Sequence, residues 1–130
     1  MENISFKTLE DAIHVDKNNG TIVDYYLFDE YEIHLNKIKS HSTQQWHSHT
    51  KISESILVTK GKLLCKYLMN GKEKQKYLLP GEMVNVGNSV HTFGNDTDQD
   101  AEFVVFRFVP DGTNKREVIK KDKKIIEEND

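Results

Sequence analysis

Three of the six histidines in this chain fall in two short segments whose spacing suits metal binding. His47 and His49 stand two residues apart, and alternate residues of a β-strand point to the same face, so both imidazoles would project side by side. Glu54 follows, and its carboxylate can complete a set of two imidazoles and one oxygen around a transition metal. His91 adds a third imidazole if a later strand crosses near the first. The pattern predicts a site for one divalent metal ion, with an open position for a small molecule.

Each of these signals is weak by itself. Histidine pairs at this spacing on exposed strands are often only solvated, and a single buried histidine is more often a hydrogen-bonded core residue than a ligand. The ordered series, in which His47, His49 and Glu54 are followed much later by His91, is what favours a metal site.

The segments that must position these side chains read as short strands, because aromatic and β-branched residues recur at every second position. Nine strands are predicted, at residues 21–28, 31–39, 45–49, 54–60, 62–69, 74–79, 83–86, 90–94 and 102–109. No central segment has a convincing helical period. The predicted fold class is therefore all-β, a sandwich or a barrel.

Turn residues between these strands predict how neighbouring strands pair. Asn70-Gly71 is the strongest short-range hairpin signal, so the strands on either side of it should be antiparallel partners. Residues 60–62 and 79–82 contain further glycine and proline turns, which predicts an antiparallel meander of four strands. Alternation in residues 62–69 sends the lysines to solvent and predicts an inward face made of Leu63, Cys65, Tyr67 and Met69.

Composition excludes several classes of protein. The 130 residues, 36% hydrophobic and 30% charged, suit one globular domain with its own core. A net charge of -3 argues against nucleic acid as a partner, and no stretch approaches the roughly 20 apolar residues of a membrane span. Cys65 is the single cysteine, so no internal disulfide can form, and we expect a cytoplasmic protein. Cys65 itself is expected to be a small buried apolar residue.

The ordered pattern resembles the two motifs of the cupin superfamily. The first, Gly-x5-His-x-His-x(3,4)-Glu-x6-Gly, is matched by His47, His49, Glu54 and Gly61. The second, Gly-x5-Pro-x-Gly-x2-His-x3-Asn, is matched by Gly81, His91 and Asn95. Two departures affect loop geometry more than ligation: His41 replaces the leading glycine, and residues 86–89 replace the Pro-x-Gly step, with the interval from Gly81 to His91 about a residue shorter.

The resemblance spans roughly residues 30 to 109 and implies a single antiparallel β-barrel, the double-stranded β-helix jelly roll of cupins. It implies one divalent transition metal in the barrel mouth (iron, manganese, nickel, zinc or copper), with His47, His49, Glu54 and His91 as ligands. It also implies a homodimer. Residues 1–29 are predicted to form an N-terminal strand segment packing on the barrel, residues 30–110 the cupin barrel, and residues 111–130 a charged tail or short helix, all within one domain.

Several further residues are candidates for the pocket. Gln45 shares a face with His47, Phe93 shares one with His91, and Tyr67 lies on the inward face of the hairpin, so these three are candidates to line a substrate pocket. For Phe93, a plain core position is favoured. Arg107 has two interpretations, a carboxylate anchor in the cavity or a side chain on the solvent face, and the second is favoured.

The remaining polar and aromatic residues are expected to be structural. Asn95 is expected to stabilise a turn, and Trp46 to lie on the outer sheet face or in a contact between copies. His14 and His34 are expected to be ordinary surface or core residues. His41 could reach the pocket mouth as an acid or base, although a solvated loop position is favoured.

The ligand pattern favours a metal-dependent enzyme that acts on a small oxygen-rich metabolite, and the resemblance to cupins implies a reaction of dioxygenase, decarboxylase or isomerase type. Two alternatives stay open: a non-enzymatic module that binds or senses a small ligand, and a metal-independent sugar epimerase or isomerase. Retention of all four ligand types counts against the last. The expected partners are a small-molecule substrate and a second copy of the chain, with no nucleic acid and no membrane.

Overall fold

The computed structural model describes residues 3–126, and nearly all of its regular structure is β. In chain order the strands are β1 (Ile13–Asp16), β2 (Thr21–Leu27), β3 (Tyr31–Ile38), β4 (Ser42–Thr43), β5 (Ser53–Lys60), β6 (Leu63–Met69), β7 (Lys72–Leu78), β8 (Met83–Asn85), β9 (His91–Asn95) and β10 (Ala101–Phe108). A 3-10 turn covers Leu9–Asp11, and a short helix α1 covers Arg116–Lys121. No helix of the described residues is long and apolar enough to cross a membrane.

The strands form two antiparallel sheets. The larger sheet has the order β1-β2-β3-β10-β5-β8, and the smaller has the order β4-β9-β6-β7. Their facing sides enclose a core built from alternate residues of each strand: Ile38, Ile56, Val58, Leu63, Cys65, Leu78, Val86, Phe93, Phe103 and Val105. The all-β prediction is confirmed, and the two layers form the jelly roll expected of the predicted barrel.

The hairpin at Asn70-Gly71 is confirmed. Strands β6 and β7 pair in register from Leu63 opposite Leu78 to Met69 opposite Lys72. Asn70 and Gly71 have φ angles of 53° and 75°, which fits the mirror-image turns that match the twist of a hairpin. Of the predicted inward face, Leu63 and Cys65 are buried and Tyr67 packs partly buried on the core, while Met69 at the end of the strand is half exposed.

The predicted four-strand meander is wrong. Strand β5 pairs with β10 and β8, whereas β6 pairs with β9 and β7. The turns at 60–62 and 79–82 therefore carry the chain from one sheet to the other instead of connecting partners. Turn residues specify that the chain reverses, but not which strand it then meets.

The strand predicted at residues 45–49 is also wrong. The strand in this region is β4, two residues long, and beyond it His47 forms an isolated bridge with His91. Their backbone groups exchange two hydrogen bonds, each 2.9 Å long. Within residues 45–49 of the described structure, this bridge is the only pairing with a strand, so these residues do not form a strand of their own.

The segments at the two ends of the barrel have different roles. Strand β2 pairs with β3 along its whole length, and β1 pairs with β2, so residues 13–27 extend the larger sheet. Helix α1 lies within the region predicted as a charged tail or short helix, and none of its residues is buried. Residues 127–130 of that region lie outside the described residues, and the division into segments at 29 and 110 stays a prediction.

Candidate metal centre

The four residues with metal-ligand spacing come together between the two sheets. His47 and His49 lie in the connection before β5, Glu54 lies on β5, and His91 is the first residue of β9. One ligand atom from each, an imidazole nitrogen or a carboxylate oxygen, lies within 4.8 Å of the others. Glu54 is 3% exposed and His91 is fully buried, so the cluster is shielded from solvent on its inner side.

Backbone carbonyls fix which nitrogen two of the imidazoles present to the cluster. Nδ1 of His47 lies 2.8 Å from the carbonyl oxygen of Gln45, and Nδ1 of His91 lies 2.9 Å from that of Ser89. A carbonyl oxygen can only accept, so Nδ1 carries the proton in both rings, and Nε2 has a free lone pair. An unprotonated Nε2 is the form of histidine that binds a metal ion.

The Glu54 carboxylate is divided between two surroundings. Its Oε1 accepts a hydrogen bond of 3.0 Å from Nε of Arg107. Its Oε2 lies 2.9 Å from Nε2 of His49, yet the two atoms do not meet in hydrogen-bond geometry. Oε2 is therefore directed at the cluster without a partner there.

Three buried polar atoms of the cluster have no hydrogen-bond partner among residues 3–126: Nε2 of His49, Nε2 of His91 and Oε2 of Glu54. Leaving one such atom unsatisfied costs about 1–3 kcal/mol, so three together in a folded protein call for a shared partner. A divalent transition metal is a partner that all of them can bind at once. The residues present thus fit the metal that the sequence pattern predicts.

Protonation also favours metal binding at His91. Burial lowers the pKa of this imidazole, and the neighbouring His47 lowers it further, while the hydrogen bond to Ser89 acts in the opposite direction. The ring is therefore held in the neutral form that a metal requires. Three imidazoles and one carboxylate would leave one or two positions of a six-coordinate ion open to a small molecule.

Two cavities adjoin the cluster from different sides. The polar cavity, about 320 Å³, is lined by His47 and Glu54 together with Gln45, Phe93 of the smaller sheet and several residues of the larger sheet. The hairpin cavity, about 350 Å³, is lined by His91 together with Tyr67 and other residues of β6 to β8. Of the three predicted pocket residues, Gln45 and Phe93 share one cavity and Tyr67 lines the other. Phe93 is also part of the core.

Two residues of the polar cavity were not assigned to the site from the sequence. The prediction that Arg107 lies on the solvent face is wrong, because in β10 the buried positions Phe103 and Val105 alternate inward and Arg107 continues the series. His34, expected to be an ordinary surface or core residue, is only 2% exposed and lines the same cavity. The alternation in β10 was the signal for Arg107, but apolar residues on both faces of that strand obscured it.

The other singled-out side chains lie away from the cluster. His41 and His14 are exposed. Nε2 of His41 lies 2.7 Å from Oδ1 of Asp98, and Nδ1 of His14 lies 2.7 Å from Oδ1 of Asp24. Neither histidine lines the polar cavity or the hairpin cavity. Asn95 is buried and structural as predicted, because its Nδ2 donates to the carbonyl oxygens of Ile38 and Gln99. Trp46 is 41% exposed, consistent with an outer position.

No protein-family model and no curated protein sequence matches this chain. Solved structures do match it. Lactobacillus farciminis oxalate decarboxylase, in a formate complex, has a TM-score of 0.70 at 17% identity, over 87% of this chain and 36% of that one. A domain of Drosophila melanogaster CENP-C has a TM-score of 0.69 at 18% identity, over 82% of this chain and 79% of that one.

A third match is a Cupin_2 domain of an XRE-family transcriptional regulator from Enterobacter cloacae, with a TM-score of 0.59 at 17% identity, over 70% of this chain and 98% of that one. Identities this low carry the fold and not the activity. The two facing antiparallel sheets, the crossovers between them and the likeness to these structures together show that this chain has the cupin fold.

Proposed function

We propose that this protein is a metal-dependent enzyme acting on a small oxygen-rich metabolite, with a reaction of dioxygenase, decarboxylase or isomerase type. The observation that carries the proposal is the convergence of buried, unpaired Nε2 and Oε2 atoms beside a polar cavity. Unsatisfied atoms of this kind are costly in a purely structural interior and useful in a metal site.

The chain's own residues would prepare this site in three ways. The carbonyl groups of Gln45 and Ser89 hold the imidazoles of His47 and His91 in the metal-binding tautomer. Arg107 fixes one oxygen of Glu54 and leaves the other for the ion. A bound metal would supply Lewis acidity, which polarises an oxygen atom of the substrate.

The similarity to oxalate decarboxylase supports decarboxylation as one member of the proposed set of reactions. The chain spans 36% of that protein at 17% identity, so the similarity supports a type of reaction and not a particular substrate. The apolar wall formed by Phe93 and its buried neighbours would limit the access of water to the reacting atoms.

Metal content tests the first half of the proposal. We expect purified protein to hold about one transition-metal ion per chain by elemental mass spectrometry. His47→Ala and His91→Ala should each lose most of it, because each removes one of the four ligands. His14→Ala, an exposed histidine paired with Asp24, is the matched control and should keep the metal. A parent protein without stoichiometric metal would contradict the proposal.

Turnover tests the second half. The metal-loaded protein is assayed against diketones, cysteine-like thiols, oxalate and keto sugars. A second candidate, binding or sensing of a ligand without catalysis, is favoured by the similarity to the regulator domain, nearly all of which this chain covers. Metal binding without turnover of any member of the panel would support that candidate instead.

A further inference from the structure

The polar cavity carries side chains beyond those that a metal would use. Its lining combines an apolar floor with hydrogen-bonding groups from four segments, among them Tyr25, His34, Asn36, Gln44, Gln45 and Arg107. Its volume of about 320 Å³ lies at the lower end of the range for small-molecule sites, which is about 300–1,000 Å³. A cavity with so many donors and acceptors suits a ligand that carries several polar groups.

Arg107 is the group that points to the charge of the ligand. Its Nε donates to Glu54, and no described residue hydrogen-bonds either of its Nη groups. The planar guanidinium can donate two parallel hydrogen bonds from those groups to a carboxylate. Lys17 also lines the cavity, so two cationic side chains accompany one carboxylate, that of Glu54, among the described lining residues, and the carboxylate of Glu32 adjoins His34. The cavity thus favours an anion.

His34 is a second functional group of the cavity, on the strand that pairs with the strand of Arg107. Its Nε2 lies 2.8 Å from Oε1 of Glu32; a carboxylate accepts, so Nε2 carries the proton. Its Nδ1 is then an acceptor, and no described residue donates to it. Burial lowers the pKa of His34, although the hydrogen bond to Glu32 acts in the opposite direction. The lowered pKa keeps the ring neutral. A ring in this state can accept a hydrogen bond from a hydroxyl group.

Strand register sets the spacing between these two groups. Arg107 is directly opposite Glu32, and His34 is the next residue on the same face, so Arg107 and His34 are diagonal neighbours on adjacent strands. Such neighbours have Cα atoms about 7–8 Å apart, within mutual reach of long side chains. A ligand that touches both side chains therefore carries a carboxylate and a hydroxyl group on one chain, and the cavity of about 320 Å³ has room for about six carbons.

We propose that the polar cavity binds a polyhydroxylated carboxylate of about six carbons, with the carboxylate on Arg107 and a hydroxyl group donating to His34. The inference rests on the proposed function, because it assigns a substrate class to the same site. It goes further in giving two residues outside the metal cluster separate roles in recognition.

Three six-carbon probes separate those roles: D-gluconate has the carboxylate and the hydroxyl groups, hexanoate has only the carboxylate, and D-glucitol has only the hydroxyl groups. Binding of each to the purified protein is measured by isothermal titration calorimetry. We expect gluconate to bind at least about tenfold more tightly than either of the others, since a charge-assisted pair and several hydrogen bonds would act together.

Variants then assign each part of the ligand to its residue. Arg107→Met should weaken gluconate and hexanoate by about tenfold and leave glucitol unchanged. His34→Phe should weaken gluconate and glucitol and leave hexanoate unchanged. The matched controls are Arg116→Met on the exposed helix α1 and His14→Phe, whose ring also lies beside a carboxylate but outside the cavity; neither should change any of the affinities.

A second variant covers the case in which His34→Phe does not fold. Glu32→Gln no longer fixes the tautomer of His34, and we expect it to weaken gluconate by a smaller factor without affecting hexanoate. The inference is overturned if gluconate binds no more tightly than hexanoate and glucitol, or if the variants change all three probes alike.

The metal content of each sample separates this inference from the proposed function. Protein with stoichiometric metal but no preference for gluconate would overturn the inference alone. Protein without metal that still shows the preference and both variant patterns would overturn the proposed function and leave the inference standing.

Discussion

The two oxygens of Glu54 have different surroundings, and this division links the proposed metal site to the cavity beside it. Oε1 is held by Arg107 and Oε2 is directed at the cluster, so any movement of the guanidinium would also move the Glu54 carboxylate. Arg107 therefore positions Glu54, and its Nη groups also offer hydrogen-bond donors to a small molecule in the cavity. Spacing in the sequence could predict the four clustered residues, but not this contact, because Glu54 and Arg107 are 53 residues apart.

His34 shows the same limit at the residue scale. Its identity and position gave no pattern, because the carboxylate that orients it belongs to Glu32 on the same strand, a common arrangement on an exposed sheet face. Only the packing of two sheets shows that this face is buried. Ligand spacing is local and could be predicted, whereas burial arises from tertiary contacts.

Cys65 gives a prediction about pH. Burial raises the pKa of its thiol from 9.0 to about 11, so the folded protein keeps the proton where the unfolded chain loses it. This contribution to stability is fully present below pH 9.0 and is lost as the pH rises through about 11. We expect the stability lost by about pH 11 to amount to about 2 kcal/mol.

Urea unfolding of the parent and of Cys65→Ala, well below pH 9.0 and again near 11, measures this contribution. The variant is less stable at the lower pH because it leaves a small cavity, and the difference should shrink or reverse at the higher pH. If the parent and the variant lose the same free energy of unfolding between the two pH values, burial does not raise the pKa of the thiol.

Local sequence signals predicted some elements of the fold better than others. The β6–β7 hairpin was predicted correctly because its two-residue turn specifies both the reversal and the partner. Strand β1 was missed although Asn19-Gly20 provides a similar turn signal, with Gly20 at a φ of 85°. Pairing between strands distant in sequence, such as β10 with β3 and β5, could not be read from alternation, since alternation specifies faces and not neighbours.

Gly61 gives a prediction at the scale of the element it terminates. It follows β5 with a φ of +76°, and a Cβ added there would lie 2.6 Å from the carbonyl oxygen of Asp100 and 3.1 Å from Cα of Ala101. Both are backbone atoms at the start of β10 and cannot rotate away. We expect Gly61→Ala to lower the free energy of unfolding by about 3 kcal/mol or more.

Gly71→Ala is the control for backbone strain alone. Its φ of +75° is nearly the same, yet nothing lies within 4 Å of the added Cβ, so a loss of about 1 kcal/mol is expected. Denaturant midpoints of both variants, measured with the parent, give the comparison. Similar losses at the two positions would show that the Asp100 contact yields readily.

Apolar residues on the outside of the larger sheet are relevant at the scale of the whole molecule. Tyr31, Leu57, Phe106 and Phe108 are each more than a third exposed, and Tyr31 contacts Phe106 with ring centroids 5.8 Å apart. Exposed aromatic groups of this kind are more frequent at contacts between chains than on free surfaces. In contrast, the edge strand β7 is rich in charged residues, which discourages pairing along that edge.

We therefore predict a homodimer. Size-exclusion chromatography with light scattering should give a mass twice the 15.1 kDa of the chain, and dilution should lower it only at concentrations below the dissociation constant. A mass of one chain at every concentration would contradict the prediction.

The reciprocal backbone pair between His47 and His91 would give the proposed metal site the character of a rigid chelator. In zinc fingers the ligands are gathered by the ion itself, so metal removal unfolds the domain. Here two ligands from distant parts of the chain are joined by backbone hydrogen bonds that do not involve an ion. Folding would then precede loading, and the choice among ions would depend on how well their size and coordination geometry suit a site already formed.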